Sequence, residues 1–459
     1  MKRQLRTTTA LAAVLAAGMA PLTLTAPASA AAAKYADDFN GDGYRDYAVY
    51  WSGDSKGGGV EVTFGTANGP GTRTQLVDQA SPGVPGADEA DDWFGEVRTA
   101  ADFDKDGYGD LAVAATGEDV DGREDQGAVT ILWGGPNGLS KGTTVPNKAP
   151  KDSLNRMGSD LATGDFNGDG KTDLALVNDA KTYVYRGSIN RSGVHGSVTS
   201  LDKTTSFYST AVIAGKVNGD GKTDLVVIGD VVTDSYIASD AWFVKGGSTL
   251  TSGKTLRLES LSGNGGSTDR GGDGVIADFD KDGYGDIAVG TSVYSKTKGR
   301  VSVWYGSSSG PSTSTRITQA TSGVAGSPET YDEFGWSVSA GDANGDGYKD
   351  LAVGVIGEAI NGKEYAGGVH VLYGRASGLS GTRSQWFARN SAGVPGALEE
   401  GEHFGYAVRL RDTNADGRAD LYVRGSVNTL RLPGSPAGVT TTGAASAEEK
   451  LIEGTLHIG

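Results

Sequence analysis

The sequence predicts an all-β fold, a seven-bladed β-propeller whose blades are four-stranded antiparallel sheets. A nine-residue pattern, D-x-[DN]-x-D-G-x-x-D, has seven copies in the 459 residues, six of them intact and one with lysine in the first position, at intervals of 51 to 70 residues. Each copy precedes a short β-rich run, and the 73 glycines provide for many tight turns. Such a repeat indicates one structural unit that recurs through the whole domain. The copies begin at Asp38, Asp102, Asp165, Lys216, Asp278, Asp342 and Asp412.

Residues 1–30 have the composition of a secretory signal peptide. Lys2 and Arg3 precede an apolar stretch, and the small residues Ala28-Ser29-Ala30 form a cleavage site. No later run of the sequence is apolar enough to predict a membrane span. We therefore expect a secreted, extracellular monomer in which residues 31–459 form a single seven-bladed propeller domain.

The sixth repeat shows the four strands of a blade most clearly. Residues 334–341 are the predicted first strand, 351–355 the second, 367–374 the third and 384–388 the fourth. The Asp-rich loop lies between the first two of these strands. A solenoid or a string of small domains is the alternative, but a unit of about 60 residues cannot bury both faces of its sheet alone.

The first repeat lacks a counterpart of the first strand, because the mature chain begins shortly before Asp38. The last residues, 451–459, align with the opening strands of the other repeats. We therefore predict that this C-terminal segment supplies the innermost strand of blade one and closes the ring. A loose tail is the alternative.

The Asp-rich loops have the chemistry of a calcium site. Calcium prefers oxygen ligands, and the pattern offers carboxylate or amide oxygens at positions 1, 3, 5 and 9 and a backbone carbonyl at position 7. An EF-hand is excluded, because position 12 holds residues such as Val49 and Val113 instead of glutamate, and because strands follow the loops. One copy alone could be an ordinary turn, but the six intact copies in register predict about six Ca²⁺ ions.

The predicted calcium ligands are five residues in each intact loop. They are Asp38, Asn40, Asp42, Tyr44 and Asp46; Asp102, Asp104, Asp106, Tyr108 and Asp110; Asp165, Asn167, Asp169, Lys171 and Asp173; Asp278, Asp280, Asp282, Tyr284 and Asp286; Asp342, Asn344, Asp346, Tyr348 and Asp350; and Asp412, Asn414, Asp416, Arg418 and Asp420. In the remaining loop, 216–224, Lys216 replaces the first aspartate. Its ammonium group would repel a cation and could itself lie among Asn218, Asp220 and Asp224, so we predict that this loop binds no metal.

Residues at the blade openings point to a family resemblance. Phe94-Gly95, Phe334-Gly335 and Phe404-Gly405, together with the six Asp-rich loops, resemble the FG-GAP repeat, also described as the VCBS repeat, of integrin α-subunit propellers and secreted bacterial proteins. The resemblance covers essentially the whole mature chain. It implies a calcium-binding propeller with the same loop ligands. Repeats three and four depart most, since Met157-Gly158 replaces Phe-Gly in one and no Phe-Gly precedes Lys216 in the other.

Composition and loop length limit the partners. The formal net charge is −16, which argues against nucleic acid, and the chain has no cysteine to form a disulfide. Antiparallel alternation places the longest insertions on the face opposite the Asp-rich loops, and these insertions include Trp93, Tyr331 and Tyr365. We expect that face to meet an extracellular protein, a cell-surface ligand or a glycan. The insertions are 80–93, 117–126, 321–333, 357–366 and 391–403.

Catalytic signals in the sequence are weak. Residues 306–310 match the Gly-x-Ser-x-Gly pattern of serine nucleophiles, yet they fall in a predicted turn between two strands. His370 and His457, two of the four histidines, fall in predicted strands. We therefore predict no catalytic residue and favour a non-enzymatic binding or adhesion module. A carbohydrate-binding lectin, or an extracellular polysaccharide lyase or hydrolase on a propeller scaffold, is the alternative.

Overall fold

The chain folds into seven antiparallel sheets that form the blades of a β-propeller, which confirms the predicted fold class. The computed structural model describes residues 32–53, 56–67, 69–150, 154–187, 189–203, 206–234, 236–262 and 274–447. The predicted signal peptide and the predicted closing strand at 451–459 lie outside these residues. No helix among the described residues has the length and apolar character that crossing a membrane would require.

The strands follow one another blade by blade. Blade one contains β1 (Tyr47–Trp51), β2 (Gly59–Thr66) and β3 (Gly69–Asp78), and blade two contains β4 (Arg98–Ala101), β5 (Asp110–Ala115), β6 (Ala128–Trp133) and β7 (Ser140–Thr144). Blade three contains β8 (Leu161–Gly164), β9 (Asp173–Asn178), β10 (Lys181–Tyr185) and β11 (Val198–Leu201), and blade four contains β12 (Phe207–Gly215), β13 (Asp224–Val232), β14 (Tyr236–Lys245) and β15 (Thr251–Ser262).

The last three blades repeat this order. Blade five contains β16 (Gly274–Ala277), β17 (Asp286–Thr291), the single turn α1 (Tyr294–Thr297), β18 (Arg300–Trp304) and β19 (Ser314–Ile317). Blade six contains β20 (Phe334–Gly341), β21 (Asp350–Val355), β22 (Gly368–Leu372) and β23 (Gln385–Phe387). Blade seven contains β24 (Ala407–Arg411), β25 (Asp420–Arg424), β26 (Thr429–Leu432) and β29 (Ala445–Ala447), with the hairpin β27 (Gly434–Ser435) and β28 (Gly438–Val439) inserted before its last strand.

The strands predicted for the sixth repeat are confirmed. All four predicted segments become strands, with ends that differ by at most two residues from 334–341, 351–355, 367–374 and 384–388. Each strand pairs with the next in antiparallel register, so the blade is a simple meander. The Asp-rich loop, between strands one and two, therefore lies at the opposite end of the blade from the long 2–3 and 4–1 connections.

The apolar core lies between neighbouring blades. Six clusters of buried side chains join blades one to two, two to three, three to four, four to five, five to six and six to seven. Position 2 of four Asp-rich loops is a phenylalanine that is buried in these clusters: Phe39, Phe103, Phe166 and Phe279. Each such phenylalanine anchors its Asp-rich loop to the core, because burial of an aromatic ring stabilises the fold by up to about 3 kcal/mol.

The Phe-Gly pairs pack blade against blade. Phe94, Phe334 and Phe404 are buried, and the glycine that follows each one has a φ near +90° to +103°. A Cβ on Gly95 would lie 2.4 Å from the carbonyl oxygen of Gly59 in the preceding blade. Only glycine permits both this backbone conformation and this approach. Met157-Gly158 serves in the same way in blade three, with Met157 buried and Gly158 at φ +94°.

A central channel of about 1180 Å³ runs between the blades. The first strands of blades two to seven line the channel. In blade one the channel is lined by Tyr47 and Ala48 of β1. Because β1 follows an Asp-rich loop, β1 corresponds to the second strand of the other blades. The described part of blade one thus lacks an innermost strand, as the sequence predicts.

The seam between blades seven and one differs from the other interfaces. Among the described residues no apolar cluster joins these two blades. Instead the buried carboxylate of Asp37 pairs with Arg45 at 3.0 Å and with Arg411 of β24 at 2.5 Å. The Arg411 guanidinium also lies 4.5 Å from the ring centroid of Tyr47. In the described chain, ionic and cation–π contacts fasten the seam.

Candidate metal sites and the opposite face

The Asp-rich loops share one backbone arrangement. In the first loop, Asp38 accepts hydrogen bonds from the amides of Asp42 at 3.1 Å and Gly43 at 2.8 Å, and Asn40 Oδ1 accepts from Asp42 N at 2.9 Å. Asp42 Oδ1 in turn accepts from Tyr44 N at 3.0 Å. These bonds turn the chain tightly around the side chains of positions 1, 3 and 5. Loops 165–173, 342–350 and 412–420 repeat the pattern.

The aspartate at position 9 is buried and holds its own blade together. Asp110 is fully buried, and its two oxygens accept the amides of Phe103 and Gly134, each at 2.9 Å. It thereby joins the start of the loop to the end of β6. Burial raises the pKa of Asp110 to about 8 and that of Asp46 to about 7, because a charged carboxylate loses its hydration there.

The second loop contains oxygens that are suited to a cation. Oxygens of Asp102, Asp104 and Asp106 lie within 4.8 Å of one another, as do oxygens of Asp278, Asp280 and Asp286 in the fifth loop. In the second loop, Asp102 Oδ1 and Asp104 Oδ1 are buried and have no hydrogen-bond partner. A buried carboxylate oxygen without a partner is costly, so the residues present fit a bound cation.

The fourth loop carries its own cations. Asp220 Oδ2 lies 3.6 Å from Lys222 Nζ and 3.4 Å from Lys245 Nζ, and Asn218 Nδ2 donates to Asp224 Oδ1 at 3.1 Å. The ammonium groups that pair with Asp220 thus come from position 7 and from the end of β14. Lys216 lines the central channel, as do the first residues of five intact loops. The absence of metal from this loop stays a prediction.

Three arginines that are not among the predicted site residues also contact loop aspartates. Arg186 Nη1 lies 3.1 Å from Asp173 Oδ2, and Arg431 Nη2 lies 2.7 Å from Asp420 Oδ2. The third, Arg191 of blade three, contacts the second loop. Arg186 and Arg431 belong to the third strand or its end in their own blades. Aligning the repeats would have found them, whereas the contact of Arg191 with another blade leaves no signal in the repeat.

The opposite face presents an exposed group of aromatic residues, which we call the aromatic patch: Trp336, Tyr365, His403 and Tyr406. The rings of Tyr365 and His403 lie 5.5 Å apart, and those of Trp336 and Tyr406 lie 5.7 Å apart. Tyr365 is 39% exposed and Tyr406 is 49% exposed. Tyr365 belongs to one of the predicted insertions of this face, 357–366. Tyr406 lies two residues after the buried Phe404, just beyond the predicted insertion 391–403.

Buried carboxylates lie beneath the long connections of this face. The Gln319 amide donates to Glu358 at 2.6 Å, and Gln79 donates in the same way to Glu118. Blade six has Arg389 at the position of these glutamines, and its Nε lies 2.5 Å from Glu402 Oε1. Burial raises the pKa of Glu358 to about 7. These pairs connect the end of one blade with the next, so they first serve the packing of the connections.

The two catalytic signals considered in the sequence, the Gly-x-Ser-x-Gly pattern and His370, lie in a turn and in a buried strand. Residues 306–310 form the turn between β18 and β19, in which Ser308, the central serine of the Gly-x-Ser-x-Gly pattern, is exposed and the neighbouring Ser307 hydroxyl closes the turn by donating to Gly310 O at 2.6 Å. His370 is buried in β22 with its ring 4.6 Å from Trp386 and 5.6 Å from Phe334. Burial lowers the pKa of His370 to about 3, so this imidazole stays neutral.

Comparison with known families identifies the repeats. The FG-GAP repeat matches residues 94–132 and 334–372, and the FG-GAP-like repeat matches residues 165–227. The matched segments contain the Phe-Gly pairs that begin at 94 and 334 and the Asp-rich loops that begin at 102, 165 and 342. The molecule is a seven-bladed β-propeller that carries FG-GAP repeats.

Several known proteins contain similar segments. Phosphatidylinositol-glycan-specific phospholipase D of Mus musculus is 36% identical over 150 residues, which cover 29% of this chain and 18% of that protein. Integrin alpha-PS5 of Drosophila melanogaster is 29% identical over 231 residues, which cover 46% of this chain and 22% of the integrin. The chain thus spans about a fifth of the length of these relatives. Among solved structures, the Dos1 propeller aligns over 83% of this chain and 92% of that chain at 11% identity, with a TM-score of 0.34.

Proposed function

We propose that the chain is a secreted, calcium-stabilised binding module whose aromatic patch meets an extracellular protein or a cell-surface ligand. The observation that carries this proposal is the separation of the two kinds of loop. Asp-rich loops with convergent oxygens occupy one end of the propeller, and exposed aromatic rings occupy the other. The similarity to integrin α-subunits supports the same general role.

Calcium would be held by positions 1, 3, 5, 7 and 9 of the six intact loops. The unpartnered oxygens of Asp102 and Asp104 support this assignment most directly. When bound, the ion would neutralise carboxylates that otherwise repel one another. The fourth loop would need no ion, since Lys222 and Lys245 already lie beside Asp220.

Chelation tests the calcium proposal. We expect the melting temperature of the protein to fall in EGTA and to recover when Ca²⁺ is added, because an ion that binds only the folded state stabilises it. Asp104→Ala together with Asp106→Ala should reduce the calcium-dependent part of the melting temperature. A melting curve that is the same with and without EGTA would exclude stabilisation by calcium.

The shape of the opposite face favours a macromolecular ligand. The central channel is lined mainly by small side chains and by charged groups such as Arg409, Arg411 and Lys216. Its lining includes one aromatic residue, Tyr47. The aromatic patch lies outside the channel, on blades six and seven, where tyrosine and tryptophan rings can become a binding hot spot. Such a surface suits contact with a protein better than enclosure of a small molecule.

Binding to cell-surface material tests the role of the aromatic patch. The mature, calcium-loaded protein is incubated with extracellular proteins, cell-wall preparations and polysaccharides, and both retention and chain cleavage are recorded. We expect retention that Tyr365→Ala with Tyr406→Ala reduces at least tenfold. Tyr208→Ala is the matched control, because Tyr208 is 45% exposed but lies on blade four. Retention that survives the double substitution would place the ligand elsewhere.

A lectin or an extracellular glycan-degrading enzyme is the second candidate. Exposed aromatic rings can also stack on sugar rings, and one group of relatives is named as phospholipase D enzymes that are specific for phosphatidylinositol-glycan. The same incubations separate the candidates. Retention on polysaccharide alone would indicate a lectin, and cleavage of the polysaccharide would indicate an enzyme.

A further inference from the structure

Arg191 reaches from the third blade into the Asp-rich loop of the second blade. Its Nε lies 2.7 Å from Asp104 Oδ2, and its Nη2 lies 2.6 Å from Asp106 Oδ2. Nη2 also donates to the carbonyl oxygen of Gly134 at 3.3 Å. The guanidinium thus holds two of the predicted calcium ligands at once, from a position about 85 residues away in the chain.

The surrounding contacts place Arg191 firmly. It occupies the tip of a tight loop between β10 and β11, which the Asn190 side chain closes by accepting the amides of Ser192 at 2.9 Å and Val194 at 3.2 Å. Thr143 of blade two donates its hydroxyl to Arg191 O at 3.1 Å and accepts the indole N–H of Trp133 at 2.8 Å. The guanidinium also lies 5.2 Å from the Trp133 ring centroid. Both the backbone and the side chain of Arg191 are therefore docked on blade two.

The fifth loop provides an internal comparison. Its sequence at 278–286, D-F-D-K-D-G-Y-G-D, is identical to that of the second loop at 102–110. Within the described residues, no lysine or arginine pairs with Asp278, Asp280 or Asp282. Asp282 is exposed, whereas its counterpart Asp106 is partly buried under Arg191. The two loops thus share their ligand residues and differ in their neighbours: in the second loop Arg191 contacts Asp104 and Asp106, and Asp102 Oδ2 also accepts the amide of Ala33 at 2.8 Å.

We infer that Arg191 is a tethered cation that keeps the second loop ordered without calcium and makes it bind calcium more weakly than the identical fifth loop. This inference rests on the proposed calcium binding. Each carboxylate that Arg191 contacts has a second oxygen. In Asp104 this oxygen, Oδ1, is buried and has no partner. Asp104 can therefore face a metal ion on one side and the guanidinium on the other.

Charge determines the sign of the effect. A Ca²⁺ ion at the loop centre and the guanidinium would lie on opposite sides of one carboxylate, and they repel each other. Even at the dielectric constant of water, such a repulsion lowers affinity by about tenfold. Better orientation of the ligands by the two Arg191 contacts would act in the other direction, but those contacts must themselves weaken when an ion draws on the same carboxylates. Weaker binding is therefore the expected net result.

The coupling is reciprocal. If Arg191 weakens calcium binding, calcium must weaken the contact of Arg191 with Asp104 and Asp106 by the same factor. The loop Asn190–Val194 connects the third blade to the second through this contact. Calcium at the second loop would thus loosen one tie between two blades.

Calcium titration followed by NMR at two glycine amides tests the inference on the whole mature protein. Gly107 and Gly283 occupy position 6 of the two identical loops, so each amide reports on its own site. In the wild type we expect the Gly283 signal to reach half saturation at lower calcium than the Gly107 signal. In Arg191→Gln the Gly107 midpoint should move down by about tenfold, and the Gly283 midpoint should stay in place.

Two further measurements distinguish charge from structure. Arg191→Lys keeps the charge and should retain most of the weak binding at Gly107, whereas a purely structural role would make lysine and glutamine equivalent. In EGTA, Arg191→Gln should melt earlier than the wild type, since the second loop loses its counter-ion. Arg191 is 46% exposed in its side chain, so neither variant should disturb the core.

The outcomes separate this inference from the proposed function. An unchanged or higher Gly107 midpoint in Arg191→Gln would overturn the inference and leave calcium binding intact. A wild type in which neither glycine amide responds to calcium would contradict the proposed calcium binding and the inference together.

Discussion

At the scale of single residues, glycine positions are explained by contacts between blades. Gly95 has a φ of +103°, and a Cβ added to it would clash with a carbonyl oxygen of the preceding blade. Gly122 also has a positive φ, +72°, but no atom lies within 4 Å of its Cβ position. Substitution by alanine would therefore cause backbone strain alone at Gly122, and both strain and a steric clash at Gly95.

We expect Gly95→Ala to lower the free energy of unfolding by about 3 kcal/mol or more, because it adds a backbone clash to left-handed strain. Gly122→Ala should cost only about 1 kcal/mol, for strain alone. Denaturant unfolding of both variants in the same calcium buffer measures the difference. Equal losses would mean that the packing of the Phe-Gly pair against the preceding blade contributes little.

The sequence predicts single residues unevenly. Phe94, Phe334 and Phe404 are identifiable because they precede glycine at a fixed distance from the loops, and Met157 is recognisable from the same spacing although it is not aromatic. Arg191 and Lys245 are not visible in this way. Each acts on a loop through a contact across strands or blades, and a repeat pattern records only neighbours in its own unit.

At the scale of the element, the fourth loop differs from the intact loops in more than its first residue. The predicted loss of metal at 216–224 rests on Lys216, but the ion pairs to Asp220 come from Lys222 and Lys245. Lysine at position 7 also occurs in the intact third loop, as Lys171. That loop also has a cation, Arg186, at the position of Lys245, but Arg186 pairs with Asp173 at position 9, whereas Lys245 pairs with Asp220 at position 5.

We expect Lys216→Asp alone to add no seventh calcium ion, because Lys245 would still neutralise Asp220. Lys216→Asp with Lys245→Tyr should add one. Equilibrium dialysis followed by metal analysis gives the stoichiometry, and Lys245→Tyr alone is the control. A seventh ion in the single Lys216→Asp variant would show that the first aspartate is sufficient.

At the scale of the whole molecule, the number of blades and their order follow from the period of the Asp-rich loops, and so they could be predicted. The seam could be predicted only in part. The described residues of blade one form three strands, with β1 beside the channel, and so they leave room for a further innermost strand. Assignment of that strand to residues 451–459 stays a prediction. The ionic pair of Asp37 and Arg411 joins residues 374 positions apart, and no local pattern reveals it.

Asp37→Asn should lower the free energy of unfolding by about 3 kcal/mol, because it leaves the charges of Arg45 and Arg411 without their buried partner. Asp121→Asn is the control, since the Asp121–Arg123 pair spans 3.6 Å at the surface and should contribute less than about 1 kcal/mol. Thermal melts of both variants at matched ionic strength test this. Similar small losses would mean that the seam depends on other contacts.

The seam also determines what opening of the ring would involve. Six interfaces close through apolar clusters, whereas the described part of the seventh closes through the ion pairs of the buried Asp37 carboxylate. If residues 451–459 supply the innermost strand of blade one, as predicted, opening between blades seven and one would also take that strand out of its sheet. The other six blade contacts would hold an arc of stacked blades together, and closing the ring again would require this one strand to pair with β1 anew.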